Sequence, residues 1–343
     1  MAKKIIVIGS VLRDIILVVN SGKIAVKSEI NCEKILGFEL GAKNNIVKFL
    51  NTTGGSGANV SVGLKKMGLD PIPNVEVGDD LIGQAVKEDL GKYKISGKLI
   101  RKDNKKQTGF SFIVVDEATR EHILFSSKEA SEDIGIDVKK ILSLRPDWIY
   151  LGSLGKNPED EFEKIKLIKK KNSKIQIAIN PGISQIENKN KQLLGILKIC
   201  DLLIMNRDEA ISMVLKSEKE FEGIPDRGLN QIRFLFEKSK KWGPKIVAIT
   251  DGEDGAYLKQ LSSKKLFYGE GARVSNIADT TGAGDAFSSG VLAGIIHKKS
   301  LEDCLRIGIA NGAGVVQILG AHEGLLDWKA ALRKIKKIKV LEL

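Results

Sequence analysis

Asp279-Thr280-Thr281-Gly282-Ala283-Gly284-Asp285-Ala286-Phe287-Ser288-Ser289-Gly290 is the stretch on which the reading of this chain turns. Three small residues, Gly282, Ala283 and Gly284, run into a segment, Ala286 to His297, that reads as a helix. Small residues ahead of a helix let another group come close to the backbone. The first helical turn carries free N–H groups and the positive end of the dipole. Together they make an anion site that needs no cationic side chain. Asp285 stands in the same turn. The amides can hold negative charge while the carboxylate takes a proton from an attacking hydroxyl. Read alone, the stretch is equally a turn followed by an aspartate-capped helix.

What separates the two readings lies upstream. Gly54-Gly55-Ser56-Gly57-Ala58-Asn59 is a second glycine-rich stretch before a helical run, Val60 to Met67, closed by Gly68. A carboxylate, Asp14, follows an apolar run, Lys4 to Ile8, that suits a strand buried on both faces. With the Asp-Thr-Thr-Gly-Ala-Gly-Asp motif downstream, these residues resemble the ribokinase-like (PfkB) carbohydrate and nucleoside kinases. The resemblance runs from Ile5 to about Leu326.

The resemblance implies an α/β fold, a three-layer sandwich with a mainly parallel central sheet and a small β lid. It implies one domain over 1–343, with core segments 1–19, 52–106 and 127–343 and lid segments 20–51 and 107–126. Asp285 would be the general base, with the amides of Gly282, Ala283, Gly284 and Asp285 as the anion hole. Asp14 would bind substrate hydroxyls, since an ionised carboxylate accepts two such bonds. Leu12, Gly54, Gly55, Ser56 and Asn59 would line the same substrate. ATP and magnesium are the implied cofactors. Asn180, Asn206, Glu209, Thr250, Gly252, Gly255 and Asn311 would stand near the nucleotide. Glu209 would organise magnesium through water, as an ion that keeps several waters requires few protein ligands. Asp279, Thr281 and Gly320 match a segment that holds potassium in many relatives. The lid pairs two chains in some members, which implies a homodimer.

The residues also support plainer readings of single motifs. Asn206 with Glu209 makes a capping-box pair. Asn311 reads equally as a helix-surface amide. Gly55-x-Gly57-x-x-Val60 lacks the third glycine of a dinucleotide fingerprint and is not in the first βα unit, which counts against a dehydrogenase. No Gly-x-x-x-x-Gly-Lys-Ser/Thr loop is present. His122, His297 and His322 share no metal-ligand spacing and read as incidental.

From Asp147 onward, apolar runs alternate with helical periods: Trp148 to Leu151, Pro158 to Lys171, Ile175 to Ile179, Leu193 to Ile199, Leu202 to Met205, Arg207 to Leu215, Leu229 to Trp242 and Ile246 to Ile249. That order argues a parallel sheet covered on both faces. Ligands in such sheets sit beyond the carboxyl ends of strands. Gly9, Gly152, Asn180, Asn206, Gly252 and Asp285 are all expected there. Thr108 to Val115 and His122 to Phe125 read as a hairpin, and Leu301 to Leu319 and Asp327 to Ile338 as helices.

Composition sets outer limits. The 343 residues suffice for one large α/β domain. The charge of +12 comes from dispersed lysines, densest from Arg333 to Lys339. A basic surface attracts phosphates, but no basic stretch is interleaved with aromatics, so a nucleic-acid partner is not expected. Three widely spaced cysteines, Cys32, Cys200 and Cys304, fit a reducing cytoplasm better than a disulfide framework or zinc site. No apolar run approaches the ~18 residues of a membrane span. The acceptor stays open between a ribose- or fructose-like sugar and a nucleoside. By the resemblance, Leu12, where ribokinases carry asparagine, and the Gly54-Gly55-Ser56 triplet favour a nucleoside. Ser56-Gly57-Ala58-Asn59 favours a sugar. A regulator that keeps the fold without turnover is the more distant alternative; the intact Asp285 argues against it.

Overall fold

A computed structural model describes residues 2–20, 22–28, 33–119, 122–155, 158–188, 190–217, 223–274 and 277–343. Its centre is a ten-stranded sheet in the order Val340–Glu342, Phe267–Gly269, Ala256–Gln260, Ile246–Thr250, Leu202–Asn206, Gln176–Ile179, Trp148–Leu151, Lys4–Ile8, Asp70–Gly78, Leu99–Asp103. From Leu99–Asp103 across to Ile246–Thr250 every pairing is parallel. The strands beyond Ile246–Thr250 are antiparallel.

Side chains alternate along these strands, and the alternation builds two cores. Ile6, Ile8, Ile149, Leu151, Leu203, Met205, Val247 and Ile249 face one layer of helices. There they meet Phe162, Ile165 and Ile168 of Glu159–Lys171, with Ile232, Leu235 and Phe236 of Leu229–Trp242. Ile5, Val7, Trp148, Tyr150, Leu202, Ile204 and Ala248 face the other layer. That layer contains the helices Ser56–Lys66, Ala283–Ile296 and Leu301–Val315. A sheet that is apolar on both faces needs both layers, which gives the expected three-layer sandwich.

A smaller sheet, ordered Ile46–Gly54, Leu12–Val19, Thr108–Asp116, His122–Glu129, stands over one end. Lys23–Ser28 and Glu33–Gly37 form a separate two-stranded ribbon. Ile16, Val18, Ile113 and Val115 turn inward against Leu319. The small sheet is therefore wider than expected. Leu12–Val19, assigned to the core from sequence, is one of its two inner strands, and Ile46–Gly54 runs on past residue 51 to the glycine-rich loop.

Several boundaries also move. The helix expected from Val60 starts at Ser56, because Gly55 at φ 87° turns the chain early enough to make Ser56-Gly57-Ala58-Asn59 helical. The one expected from Ala286 starts at Ala283. The helix expected to reach Leu319 stops at Val315, and the last one covers Trp328–Lys334 before a 3-10 turn, Ile335–Lys337. Asp70–Gly78 carries no strand signature because of Pro71 and Pro73. Both prolines precede Asn74, where pairing to Leu99–Asp103 begins, so on that side there is no ladder to interrupt.

Candidate active site

Two glycine-led helix starts meet beneath the small sheet. Gly282 adopts φ 77°, and no side chain caps the helix Ala283–Ile296 that follows. Within its first turn, the Ala283 amide donates to the Thr280 carbonyl at 3.2 Å. The amides of Gly282, Gly284 and Asp285 have no acceptor among the described residues. The open anion site expected from the sequence is thus smaller by Ala283. A Cβ on Gly282 would stand 2.7 Å from the Ala321 Cβ, so this turn must be glycine for space as well as for backbone angle.

Asp285 is half-buried at the mouth of that helix. Its Oδ2 accepts from Asn59 Nδ2 at 2.9 Å. Asn59 lies in the first turn of Ser56–Lys66, is 5% exposed, and reaches Asp285 across 226 residues of sequence. Burial pushes the Asp285 carboxyl up to about 6; the Asn59 hydrogen bond opposes the rise and the charge of Asp14 adds to it.

Asp14 is buried in Leu12–Val19, with its Oδ1 accepting from Ser111 Oγ at 2.5 Å. Burial pushes this carboxyl up to about 6 as well, against the Ser111 hydrogen bond and with the charge of Asp279 behind it. A Cβ on Gly54 would stand 1.7 Å from Asp14 Oδ2, which explains the bare glycine opposite. Leu12 pairs with Gly54 across the strands and is half-buried. Ser56 turns the other way. Its Oγ accepts from the Ser153 amide at 3.2 Å and fills the space that Gly9 and Gly152 leave open. Asp14, Gly54, Gly55, Asn59 and Asp285 therefore stand close to one another, and Ser56 packs behind them.

The neighbouring strand ends carry the second group. Asn180 donates to the Ile204 carbonyl at 3.0 Å, with Ser288 Oγ 3.5 Å from its oxygen. Asn206 and Glu209 cap each other: the Glu209 amide donates to Asn206 Oδ1 at 2.7 Å, and the Asn206 amide to Glu209 Oε2 at 2.8 Å. Burial pushes Glu209 up to about 7, and the charges of Asp208 and Asp285 add to the rise. A cation nearby would hold Glu209 ionised, so its setting fits magnesium approached through water. Thr250 ends the next strand beside Asn206. Gly252 and Gly255 turn the chain after it at φ 59° and 104°. Asp251, just before Gly252, pairs with Arg207 and, at 3.1 Å, with Arg227.

Two expectations change here. Asn311 is fully buried. Its amide donates to the Ala286 carbonyl and to Ser289 Oγ, and its oxygen accepts from the Leu326 amide. With its hydrogen bonds made inside, it ties helices together and does not face a nucleotide. Asp285 sits at the expected cleft but not beyond the end of a parallel strand. The strand before its helix is the antiparallel Phe267–Gly269, with residues 270–282 between.

Asp279 is 3% exposed; its oxygens accept from the Thr281 amide at 2.9 Å and the Gly320 amide at 3.4 Å. Sequence reasoning missed His322. Its Nε2 lies 2.9 Å from Asn59 Oδ1, so it belongs to the Asp285 cleft and is not incidental. No local spacing signals a contact made across 263 residues.

Among the described residues no helix is long and apolar enough to cross a membrane. A family model described as "pfkB family carbohydrate kinase" matches residues 2–328. A protein of Archaeoglobus fulgidus named "uncharacterized sugar kinase" is 28% identical over 267 residues, 77% of this chain and 98% of that protein. The solved ribokinase of Arabidopsis thaliana complexed with ribose and ATP superposes with a TM-score of 0.77 at 22% identity, covering 98% of this chain and 99% of that one. A Methanocaldococcus jannaschii nucleoside kinase of the ribokinase family gives 0.73 at 21% identity, covering 98% and 100%. At such identities the solved structures speak for the fold alone. The family match covers almost the whole chain, and on that ground the protein belongs to the pfkB family of carbohydrate kinases, phosphotransferases with an alcohol group as acceptor.

Proposed function

We propose that the chain transfers the γ-phosphoryl group of ATP to a hydroxymethyl group of a sugar resembling ribose or fructose. One observation carries this reading: Asp285, fixed by Asn59, stands in the same helical turn as amides that have no acceptor among the described residues. Asp285 accepts the proton of the acceptor hydroxyl. The oxygen then bonds to the γ-phosphorus, the bond from that phosphorus to the β–γ bridging oxygen breaks, and ADP leaves. The amides of Gly282, Gly284 and Asp285 meet the charge of the transferring group. Phosphoryl transfer asks mainly for such positioning and charge stabilisation. Magnesium, bound beside Asn206 and Glu209, would offset charge on the nucleotide phosphates. Asp14 holds the acceptor's other hydroxyls from the small sheet.

Asp279 supports a monovalent cation. It is a buried carboxylate with two amide donors and no cationic side chain within ion-pair distance among the described residues. The outer face of the small sheet exposes Phe49, Phe112 and Phe125 by 58%, 39% and 60%. We propose that a second copy of the chain covers it; a monomer in sedimentation at micromolar concentration rejects this. The free, buried thiols of Cys200 and Cys304 agree with a reducing cytosol.

A nucleoside acceptor is the second reading. It is favoured by Leu12, an apolar side chain at the same cleft as Asp14 and cross-strand from Gly54. Calorimetric titration with ribose, fructose and adenosine, followed by ADP release with each, tests both. Saturable sugar binding with sugar-dependent ADP release supports the first. Adenosine alone doing both replaces it with the second. ATP binding without ADP release for any acceptor overturns the kinase reading.

A further inference from the structure

We propose that His322 is a positioning residue for Asp285: it fixes the amide of Asn59 so that the N–H side faces the carboxylate. The inference rests on the proposed role of Asp285 as the base.

The argument begins with what each group can offer. An ionised carboxylate only accepts, so the amide nitrogen of Asn59 must be the atom facing Asp285 Oδ2, 2.9 Å away. The amide oxygen then faces His322 Nε2, also at 2.9 Å. An amide oxygen only accepts too, so Nε2 must carry the hydrogen. The imidazole tautomer thus sets the amide, and the amide sets the carboxylate. With the other tautomer the amide would turn and present its oxygen to Asp285, favouring the protonated acid, which is no base.

The imidazole is itself held. It is 3% exposed, and the Tyr93 ring stands edge-on to it with centroids 5.9 Å apart at 87°. Lys66 Nζ donates to the carbonyls of His322 and Leu325, at 2.7 and 3.1 Å, and clamps the turn that carries it. Ala321, one residue earlier, packs against Gly282, so the same turn touches the helix mouth. Burial, with Lys66 beside it, pushes His322 down to about 4, so the ring stays neutral in any ordinary assay. The charged and titratable groups around the chain of contacts are Asp14, Glu209 and Tyr150 toward Asp285, and Lys66, Asp89, Tyr93 and Glu323 around His322. None of them is bonded to the Asn59 amide.

Two measurements test this. In the first, pH profiles of kcat are compared for wild type, His322→Leu and His322→Gln, with Asp285→Asn as the reference for loss of the base. His322→Leu is expected to lower kcat about 10-fold, the scale of one hydrogen bond lost beside a charge, with KM for ATP unchanged and the acid limb moved to higher pH. His322→Gln, whose side-chain amide can donate where Nε2 does, should restore both. An unchanged limb and kcat in a folded His322→Leu protein overturn the proposal, as does a Gln variant no better than Leu. In the second, nitrogen-15 correlation spectra of the intact wild-type protein should show His322 neutral and protonated at Nε2 from about pH 6 to 8. An unprotonated Nε2 overturns the proposal whatever the variants do. If Asp285→Asn turns over normally, the kinase mechanism itself fails. If it is inactive while His322→Leu is unchanged, only the positioning role fails.

Discussion

The helices Ser56–Lys66 and Ala283–Ile296 both start behind a glycine with positive φ, Gly55 at 87° and Gly282 at 77°, and neither start has a side-chain cap. They differ in where their first amides go. At the first helix, Gly57 donates to the Ser10 carbonyl at 2.8 Å, and Ala58 and Asn59 donate to the Gly55 carbonyl. At the second, the amides of Gly284 and Asp285 meet no acceptor among the described residues. Amides left without a protein acceptor at a helix mouth are free to meet water or the charged group of a ligand. One helix start is closed by the protein and aims a side chain, Asn59. The other is left open and carries the carboxylate that Asn59 holds. Similar sequence signals, glycines ahead of a helix, thus serve two different ends, and only the tertiary contacts separate them.

That difference can be broken on either side. Gly282→Ala puts a Cβ 2.7 Å from Ala321 in a strained backbone conformation, so it must shift the open helix mouth. We expect kcat to fall by at least ~10²-fold, the scale that misplaced reacting groups cost, in a protein that still folds by circular dichroism. Gly57→Ala meets Val75 Cγ1 at 2.6 Å and the Gly9 carbonyl at 2.8 Å on the closed side. It should act on stability, costing about 1–3 kcal/mol as overpacking does, measured by denaturant titration. Equal effects on turnover from both would erase the contrast.

The pH profile sharpens it. Asp14 and Asp285 both sit near 6 and repel one another. The base must be ionised, so kcat/KM should fall as pH drops below about 6, with a slope steeper than one proton. A flat profile down to pH 5 would remove both carboxylates from the reaction. The smallest effect concerns the ligand-free protein. Asp14, Asp285 and Glu209 have folded values raised above their unfolded ones, to about 6, 6 and 7. The folded state therefore binds more protons between about pH 4 and 7, and stability from these groups is lost as pH rises through that window. Tm at pH 5 should exceed that at pH 8 by roughly 1–3 °C, and Glu209→Gln should remove part of the gap.

The alternating core was legible because apolar period and element length agree in Trp148–Leu151, Glu159–Lys171 and Leu202–Asn206. Asp70–Gly78 was not, since its prolines speak against a strand and only the stagger of its neighbour excuses them. Of the extra antiparallel strands, Phe267–Gly269 and Val340–Glu342 have only three residues each, and the pairing of these two and of Ala256–Gln260 is set by tertiary position. In the site, Asp285, Asp14 and Asn59 could be named from their motifs. Asn311 was misread because a helical asparagine carries no sign of which way it faces. His322 was passed over because its partner lies at the other end of the chain.

The most direct measurement is phosphoryl transfer by Asp285→Asn in a purified, folded protein, with acceptor binding followed in parallel by calorimetry. The account predicts a fall in kcat of at least ~10²-fold, the usual cost of a lost acid–base group, with acceptor affinity retained. Near-normal turnover in that variant would contradict it.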